Sequence, residues 1–274
     1  LIIDSLGKMV ADKTKQDIFE AAKAIMTTDT YPKGSVRKVL TDQGEITIAG
    51  IAKGSGMIAP NMATMLVYLF TDASVKKEVL QYYLSEINEI TFNSISVDGD
   101  TSTSDTVLMA ATGKSGILIE KNDKNFLQGL ASLMTDLAHQ VVKDGEGASK
   151  FVEINIFNAR DNNDAKAHAK SIANSPLVKT AIAGEDPNWG RIVMAIGKSG
   201  ANAERDKIKI FFGDILVAEN GWVAPNYSEE LGAQYMKNTK IKISVDLGLG
   251  EANTTFWTCD FTNDYISINA DYRS

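Results

Sequence analysis

The sequence predicts a mixed α/β (α+β) fold in which mixed sheets are layered with helices. Segments whose apolar residues recur three and four positions apart, as in helices, alternate along the chain with short apolar or alternating runs, as in strands. No internal repeat, low-complexity stretch or long linker interrupts this order. With 274 residues, the chain is long enough for one large domain or two closely packed ones.

Helices are predicted where apolar side chains fall on one face of a helical pattern. The two clearest helices span 74–90, where Ser74 is the expected N-cap, and 124–142. Shorter or more polar helices are predicted at 14–26, 163–174 and 228–237.

Strands are predicted where apolar runs are short and rich in β-branched residues. In the segment 151–157, the residues Val152, Ile154 and Ile156 alternate with others and fall on one side of a strand. The full set of predicted strands is 46–52, 64–71, 105–111, 116–119, 151–157, 191–196, 207–212, 215–218, 240–246, 254–260 and 265–269.

The composition is that of an ordinary globular protein. Apolar residues make up 44% and charged residues 23%, and the net charge is −7, whereas nucleic-acid binders normally carry a basic excess. The apolar runs are too short to span a membrane. We therefore expect neither a nucleic-acid nor a membrane partner, and a cytoplasmic location. Because the chain begins at Leu1 without a leader pattern, we expect a piece of a longer protein.

Metal and histidine chemistry have little support in the sequence. The single cysteine, Cys259, cannot form an internal disulfide or a cysteine-based metal site, so no metal is predicted. His139 and His168 fall within predicted helices, where we expect them on the surface and not in a catalytic relay. The Gly-Lys-Ser run at 197–199 lacks the earlier glycine of a phosphate-binding loop, because that position is Ile192. Catalysis would then use other side chains or a backbone amine.

The segment 53–66 joins two predicted strands through glycines and a proline. It contains Thr64, preceded by the small residue Ala63, at the start of a strand. This layout fits a self-cleaving nucleophile: the Thr64 hydroxyl attacks the Ala63 carbonyl, and water opens the ester. The freed α-amine, with an ordinary pKa of about 7.7–8.0, then serves as the base for its own hydroxyl. A threonine at the start of a strand is also ordinary β-propensity, so the segment alone leaves both interpretations open.

This segment resembles the signature of the ornithine acetyltransferase family, the arginine-biosynthesis enzymes that self-cleave at an Ala-Thr bond. Other blocks agree with the family in order and spacing over the whole length of the chain. They are 27–30 (Thr-Thr-Asp-Thr), 92–103, 144–148 (Asp-Gly-Glu-Gly-Ala), 184–191 (Gly-Glu-Asp-Pro-Asn-Trp-Gly-Arg) and 265–274. The resemblance implies two pieces, with residues 1–63 forming the end of an α chain and residues 64–274 forming a β chain.

The resemblance implies an acetyl transfer through Thr64. In the family, the residue that matches Thr64 takes the acetyl group from N-acetylornithine and passes it to L-glutamate, after autoproteolysis between Ala63 and Thr64. No cofactor is implied, although some members accept acetyl-CoA as a further acyl donor. Members assemble as α2β2 heterotetramers of the cleaved pieces. Their fold is shared with self-processing aminopeptidases that use an N-terminal nucleophile.

Besides Thr64, the resemblance implies that five residues line the substrate pocket: Thr27, Lys53, Glu146, Asn269 and Ser274. Lys53 can bind a carboxylate and Glu146 can bind a cationic amine, which suits amino-acid substrates. The other three offer hydroxyl and amide groups that can orient polar atoms. Each of the five also has a plain structural explanation, as a solvated loop residue, a turn, a strand end or a chain terminus.

The sequence departs from the family in one respect. The family's oxyanion hole is a Thr-Gly pair that precedes the first residue of this chain, so it is not present here. If that part is absent from the protein, we expect slow cleavage, slow transfer and an exposed apolar surface. Two alternatives therefore stay open: an aminopeptidase or amidohydrolase of the same fold, and an inactive truncated fragment that serves only in assembly. The residues Asp98, Asp100, Asp186, Asn188 and Arg191 are assigned to the scaffold around the site.

Overall fold

The structure, a computed structural model, describes residues 17–59, 65–102 and 104–272. The helices are α1 (Asp17–Ala24), α2 (Lys77–Glu89), α3 (Lys124–Lys143), α4 (Asn162–Ala173), α5 (Pro176–Ala183), α6 (Trp189–Gly197), α7 (Glu229–Met236) and α8 (Asn263–Asp271). The strands are β1 (Lys33–Thr41), β2 (Gly44–Lys53), β3 (Leu66–Thr71), β4 (Ser74–Val75), β5 (Thr106–Ala111), β6 (Leu118–Ile119), β7 (Phe151–Ala159), β8 (Lys209–Phe212), β9 (Ile215–Glu219), β10 (Trp222–Val223), β11 (Lys240–Asp246) and β12 (Ala252–Cys259).

The first sheet has the strand order β1-β2-β3-β5 and is covered on one face by α3. The strands β1, β2 and β3 are antiparallel neighbours, whereas β5 runs parallel to β3. The apolar face of α3 packs closely at Gly50, where an added Cβ would come within 3.0 Å of Leu137. The opposite face of the sheet carries the exposed side chains of Val36, Phe70 and Leu108.

The second sheet has the strand order β10-β9-β8-β11-β7-β12 and packs against α4, which in turn contacts α5 and α6. Val152, Ile154 and Ile156 of β7 are buried in its core, as their alternation predicted. The two halves of the molecule meet at β12, because the Trp257 carbonyl accepts the Ser96 N–H at 3.0 Å and α3 also contacts this strand. The predicted mixed α/β architecture is therefore confirmed.

Two of the predicted strands are helices. Residues 191–196 lie in α6, and residues 265–269 lie in α8. The side chains of Asn188 and Thr262, just ahead of these segments, each accept a backbone N–H of the first helical turn at 3.2 Å. Such N-caps favour a helix over a strand even where the following residues are apolar or β-branched. The strand prediction was therefore wrong in both places.

Other elements were missed or misplaced. Strand β1 and helix α5 were not predicted from the sequence. Ser74 lies in the short strand β4, and Lys76 takes the N-cap position of α2 instead. The predicted strand 64–71 begins at Leu66 among the described residues. In the described part of the chain, none of the helices combines the length and apolar character that a membrane crossing requires.

Candidate active site

Lys53 is the last residue of β2, and it begins the loop that stands out in the sequence. Its side chain is only 5% exposed, and its ammonium group donates to the Thr27 hydroxyl oxygen at 3.2 Å. These two predicted site residues therefore meet, although 26 positions separate them. Because the Thr27 hydroxyl is a neutral partner, this contact does not pair the ammonium group with an anion, and the group can bind an incoming carboxylate.

A buried ion cluster fixes the backbone on both sides of this pair. The Lys33 ammonium lies fully buried between the carboxylates of Asp29 and Asp144, at 2.6 Å from Asp29. Asp29 also accepts the N–H groups of Thr27, at 3.1 Å, and of Gly54, at 2.7 Å. Burial alone would raise the pKa of Asp29, but the hydrogen bonds from Lys33 and from these amides outweigh it and lower the pKa. Asp29 is therefore a fixed anion that holds both chain segments in place.

Glu146 lies against the other end of the same loop. Its N–H donates to the Ser55 carbonyl at 2.9 Å, and the Ser55 hydroxyl donates to the Asp144 carbonyl at 2.5 Å. The Glu146 carboxylate packs against Gly56, where an added Cβ would collide with it. The segment 53–56 thus has a buried lysine at its start and a buried glutamate against its end.

Helix α8 brings Asn269 to Glu146. The Asn269 side-chain amide donates to the Glu146 carboxylate at 2.8 Å and to the Tyr265 carbonyl at 3.0 Å. The helix can approach because Gly147 has a φ of 67° and carries no side chain, and an added Cβ there would collide with the Tyr265 backbone. The Thr262 hydroxyl also donates to the Gly147 carbonyl at 2.6 Å. The Asp-Gly-Glu-Gly turn therefore holds the Glu146 carboxylate beside its amide partner Asn269.

Four predicted site residues thus form two pairs at the two ends of the segment 53–56. The other three, Ala63, Thr64 and Ser274, lie outside the described residues. The nucleophile, the cleavage site and the role of Ser274 therefore stay predictions. The division into residues 1–63 and 64–274 is untested for the same reason.

A cavity of about 280 Å³ adjoins the described residues on either side of the predicted cleavage site. Ile58, Ala59 and Met65 line it together with Asp105. Burial raises the pKa of Asp105, and the Met65 N–H and the Lys53 charge oppose that rise only in part. The cavity has room for a small ligand beside Met65, the residue that follows Thr64 in the sequence.

The two histidines take no part in the two pairs. His168 is fully buried, with its Nε2 atom 2.9 Å from the Asn202 carbonyl oxygen and its Nδ1 atom 3.0 Å from the Ser199 hydroxyl, so its predicted surface position was wrong. His139 is partly buried, and burial lowers its pKa. Within residues 17–59, 65–102 and 104–272, no group of three or more His, Cys, Asp or Glu side chains could hold a metal ion.

The ion cluster is the part of the site that sequence reasoning missed. Asp29 and Asp144 lie inside two of the blocks that carry the family resemblance, so these blocks could have suggested them. Lys33 carried no such signal, because it begins a strand that was not predicted, and a lysine outside a predicted element is ordinarily solvated.

The geometry defines a class of protein, a mixed α/β protein that holds a buried lysine and a buried glutamate against one loop beside its first sheet. The ArgJ family matches residues 1–274, and the chain belongs to the ArgJ family. This match confirms the family that the sequence resembles.

Two relatives and one solved structure illustrate the similarity. The chain is 61% identical over 273 residues to the arginine biosynthesis bifunctional protein ArgJ of Ruegeria pomeroyi, a match that covers 100% of the chain and 67% of the relative. It is 52% identical over 277 residues to the protein of the same name from Brucella suis, covering 98% of the chain and 67% of the relative. A crystal structure of the Bacillus halodurans ArgJ protein superposes with a TM-score of 0.72 at 40% identity, covering 75% of this chain and 98% of the solved one.

Proposed function

We infer that this chain is an acyltransferase, a glutamate N-acetyltransferase (ornithine acetyltransferase) that moves an acetyl group from N-acetylornithine to L-glutamate in arginine biosynthesis. The observation that carries this proposal is the placement of opposite charges at the two ends of the segment 53–56, with Lys53 at one end and Glu146 at the other. Membership of the ArgJ family supports the same reaction, since its relatives are named arginine biosynthesis bifunctional proteins.

The paired charges suit both substrates. N-acetylornithine and glutamate each carry an α-carboxylate, which the Lys53 ammonium can bind. The ornithine side chain ends in an amine, which the Glu146 carboxylate can bind through a charge-assisted hydrogen bond. Asn269 holds that carboxylate in one orientation, and Thr27 orients the ammonium group. We propose Ser274 as a further polar contact to the substrate.

Self-cleavage precedes the transfer in this proposal. The Thr64 hydroxyl oxygen attacks the Ala63 carbonyl carbon, and the peptide bond breaks as its nitrogen takes a proton. The resulting ester is opened by water, which leaves a carboxylate on residue 63 and a free α-amine on Thr64. An α-amine with a pKa of about 7.7–8.0 is a suitable base at neutral pH, so no histidine is needed.

The transfer then takes two steps. In the first, the α-amine accepts the proton of the Thr64 hydroxyl, whose oxygen attacks the acetyl carbonyl of N-acetylornithine. The α-amine passes this proton to the departing ornithine nitrogen, and an acetyl ester remains on Thr64. In the second, the neutral amine of glutamate attacks the ester, and its proton returns through the α-amine to the Thr64 oxygen. N-acetylglutamate leaves, and the free enzyme is restored.

The length of the solved relative is similar to that of the second piece that this proposal implies. That chain matches 75% of this one over nearly its whole length, and residues 64–274 are 211 of the 274 residues, or about 77%. We further propose an α2β2 heterotetramer of the cleaved pieces in the cytoplasm, with no bound cofactor, no nucleic-acid or membrane partner, and acetyl-CoA as a possible second acyl donor.

A combined mass and activity measurement tests the proposal. Denaturing mass spectrometry of the full-length protein is expected to give two pieces split between Ala63 and Thr64, and ornithine release from N-acetylornithine beyond one equivalent per enzyme is expected to require added glutamate. Thr64→Ala should abolish both. Thr239→Ala is the matched control, because this threonine is exposed and directly precedes strand β11 in the second sheet.

Two results would contradict the proposal in different ways. A Thr64→Ala protein that still exchanges acetyl groups would remove Thr64 from the nucleophile role. Equal ornithine release with and without glutamate would favour the hydrolase alternative instead.

A further inference from the structure

Two carboxylates hold the backbone on either side of residues 60–64. One Asp98 oxygen accepts the Met57 N–H at 2.7 Å, and its other oxygen accepts the Ile58 N–H at 3.1 Å. An Asp105 oxygen accepts the Met65 N–H at 2.8 Å. The two aspartates come from one connecting segment between α2 and β5. They accept backbone N–H groups on both sides of residues 60–64.

The hydrogen bond from the Met65 N–H to the Asp105 carboxylate continues the pairing of β3 with β5 beyond its last backbone hydrogen bond. Strand β5 begins at Thr106, which pairs in parallel register with Leu66, and the Thr106 N–H donates to the Met65 carbonyl at 3.0 Å. No backbone carbonyl of β5 lies in register to accept the Met65 N–H, and the Asp105 side chain supplies the acceptor. Both backbone groups of Met65 are therefore held by two successive residues of one strand end.

The held N–H belongs to the peptide group that joins residue 64 to residue 65. Because a peptide group is planar and rigid, a hydrogen bond that fixes the Met65 N–H restricts the peptide link through which the preceding residue is attached. Nucleophilic attack is sensitive to such placement, since a shift of about 1 Å can cost roughly a hundredfold in rate. The Asp105 bond therefore acts one covalent step from the predicted nucleophile.

Asp98 acts on the other side of the predicted cut. Its partners Met57 and Ile58 belong to the piece that ends at residue 63, and the Ile58 carbonyl also accepts the Val97 N–H at 2.8 Å and the Ser96 hydroxyl at 3.1 Å. Before cleavage this anchor fixes the residues that lead to the scissile carbonyl. After cleavage Asp98 still joins the piece that ends at residue 63, which carries Thr27 and Lys53, to the piece that begins at residue 64.

We propose that Asp98 and Asp105 are positioning residues for Thr64 with divided roles. Both are needed for self-cleavage, because the scissile bond must be held from both sides. Asp105 matters more than Asp98 for the later acetyl transfer, because its hydrogen bond lies one residue from the nucleophile, whereas Asp98 acts at Met57 and Ile58. This proposal rests on the proposed function, and it assigns neither aspartate a contact with substrate.

Substitutions of Asp105 separate a hydrogen-bond acceptor from a negative charge. In full-length protein, Asp105→Ala is expected to slow both self-cleavage and the kcat of acetyl exchange by about a hundredfold, with KM changed less. Asp105→Asn keeps an oxygen that accepts the Met65 N–H, and it should stay within a few-fold of wild type in both. An Asp105→Asn protein as impaired as Asp105→Ala would overturn the positioning role, as would an Asp105→Ala protein with wild-type kcat.

Substitution of Asp98 tests the division of roles. Asp98→Ala is expected to slow self-cleavage strongly, and to lower the acetyl exchange per cleaved molecule by less than Asp105→Ala does. If the exchange rate per cleaved molecule falls as far in Asp98→Ala as in Asp105→Ala, the two aspartates act equally on the mature nucleophile and the division of roles is wrong.

Hydrogen exchange at the Met65 amide distinguishes this proposal from the proposed function. The amide is expected to be protected in wild type and in Asp105→Asn, and to exchange faster in Asp105→Ala while strand β7 stays protected. Absence of a difference at Met65 overturns the positioning role. A wild-type protein that neither cleaves nor transfers acetyl would refute the proposed function, and the Met65 exchange would still decide whether Asp105 holds this peptide group.

Discussion

Two buried lysines in this molecule have opposite surroundings. Lys33, beside the site, lies between two carboxylates, which are tied in turn to the backbone of the loop. Lys179, in the second half, donates to the Thr258 hydroxyl at 2.8 Å and to the Cys259 carbonyl, and its ammonium lies 4.6 Å from the centre of the Phe261 ring. Burial lowers the pKa of Lys179.

The difference shows what a buried charge does in each half. The two anions around Lys33 compensate its charge and use their remaining oxygens to hold chain segments that carry the site. Neutral acceptors around Lys179 satisfy its donors without fixing any residue of the candidate site. The first lysine is therefore expected to affect both stability and activity, and the second to affect stability alone.

The largest effect is expected from Lys33→Met. The change keeps most of the side-chain volume but leaves Asp29 and Asp144 buried without their cation, which typically costs about 3–5 kcal/mol. The free energy of unfolding measured in urea should fall by that amount, and acetyl exchange should fall with it because the loop loses its anchor. A Lys33→Met protein with wild-type stability would contradict the importance of the cluster.

Lys179→Met is the matched variant and should have a smaller effect. It leaves a hydroxyl and a carbonyl without their donor, which costs about 1–3 kcal/mol, but it also removes the cost of burying an ammonium group. We expect a net loss of about 1 kcal/mol in the same urea experiment, with acetyl exchange unchanged. Equal losses of stability and activity in the two variants would contradict the expectation that Lys33 affects both and Lys179 affects stability alone.

Acid is expected to weaken the ion cluster around Lys33 through the titration of Asp29. Because Lys33 and two amides hold the pKa of Asp29 below its ordinary value of 3.8, this carboxylate stabilises the fold above that pH. The stabilisation is lost as the pH falls through the lowered pKa. Urea unfolding at a series of acidic pH values should show a steeper loss below 3.8 in wild type and Lys179→Met than in Asp29→Asn. Parallel curves for all three would show that Asp29 contributes nothing.

The smallest effect is expected from Asn269→Ala. The loss of its hydrogen bond frees the Glu146 carboxylate to rotate, so the KM for N-acetylornithine should rise about five- to tenfold while kcat changes little. Asn263→Ala, an exposed residue of the same helix, is the control and should leave both constants unchanged. A fall in kcat with unchanged KM would place Asn269 in the chemical step instead of in substrate binding.

Much of the fold could be predicted from periodicity. The helix at 124–142 and the strand at 151–157 match α3 and β7 closely, because each has one continuous apolar face that the core buries. The segments 191–196 and 265–269 failed because an apolar or alternating run of six residues or fewer fits either element. In both places an N-cap side chain favours the helix, and hydrophobic periodicity does not detect N-caps.

The site could be predicted only in part. The residues that meet on the segment 53–56 were implied by resemblance, and the structure pairs four of them. The pairing of the anchors behind them could not be found from local sequence, since Lys33 and Asp144 are 111 positions apart and meet only when β1 packs on α3. Asp98 was recognised only as scaffold, because its effect passes through backbone amides of another segment.

Trapping the acetyl group on the enzyme tests the central proposal most directly. The cleaved protein is mixed with N-acetylornithine in the absence of glutamate, quenched in acid and digested, and the peptide that begins at residue 64 is weighed. Acetyl transfer through the threonine predicts that this peptide gains the mass of one acetyl group, located on Thr64, and loses it when glutamate is added. An unmodified peptide in an enzyme that still releases ornithine under these conditions would contradict it.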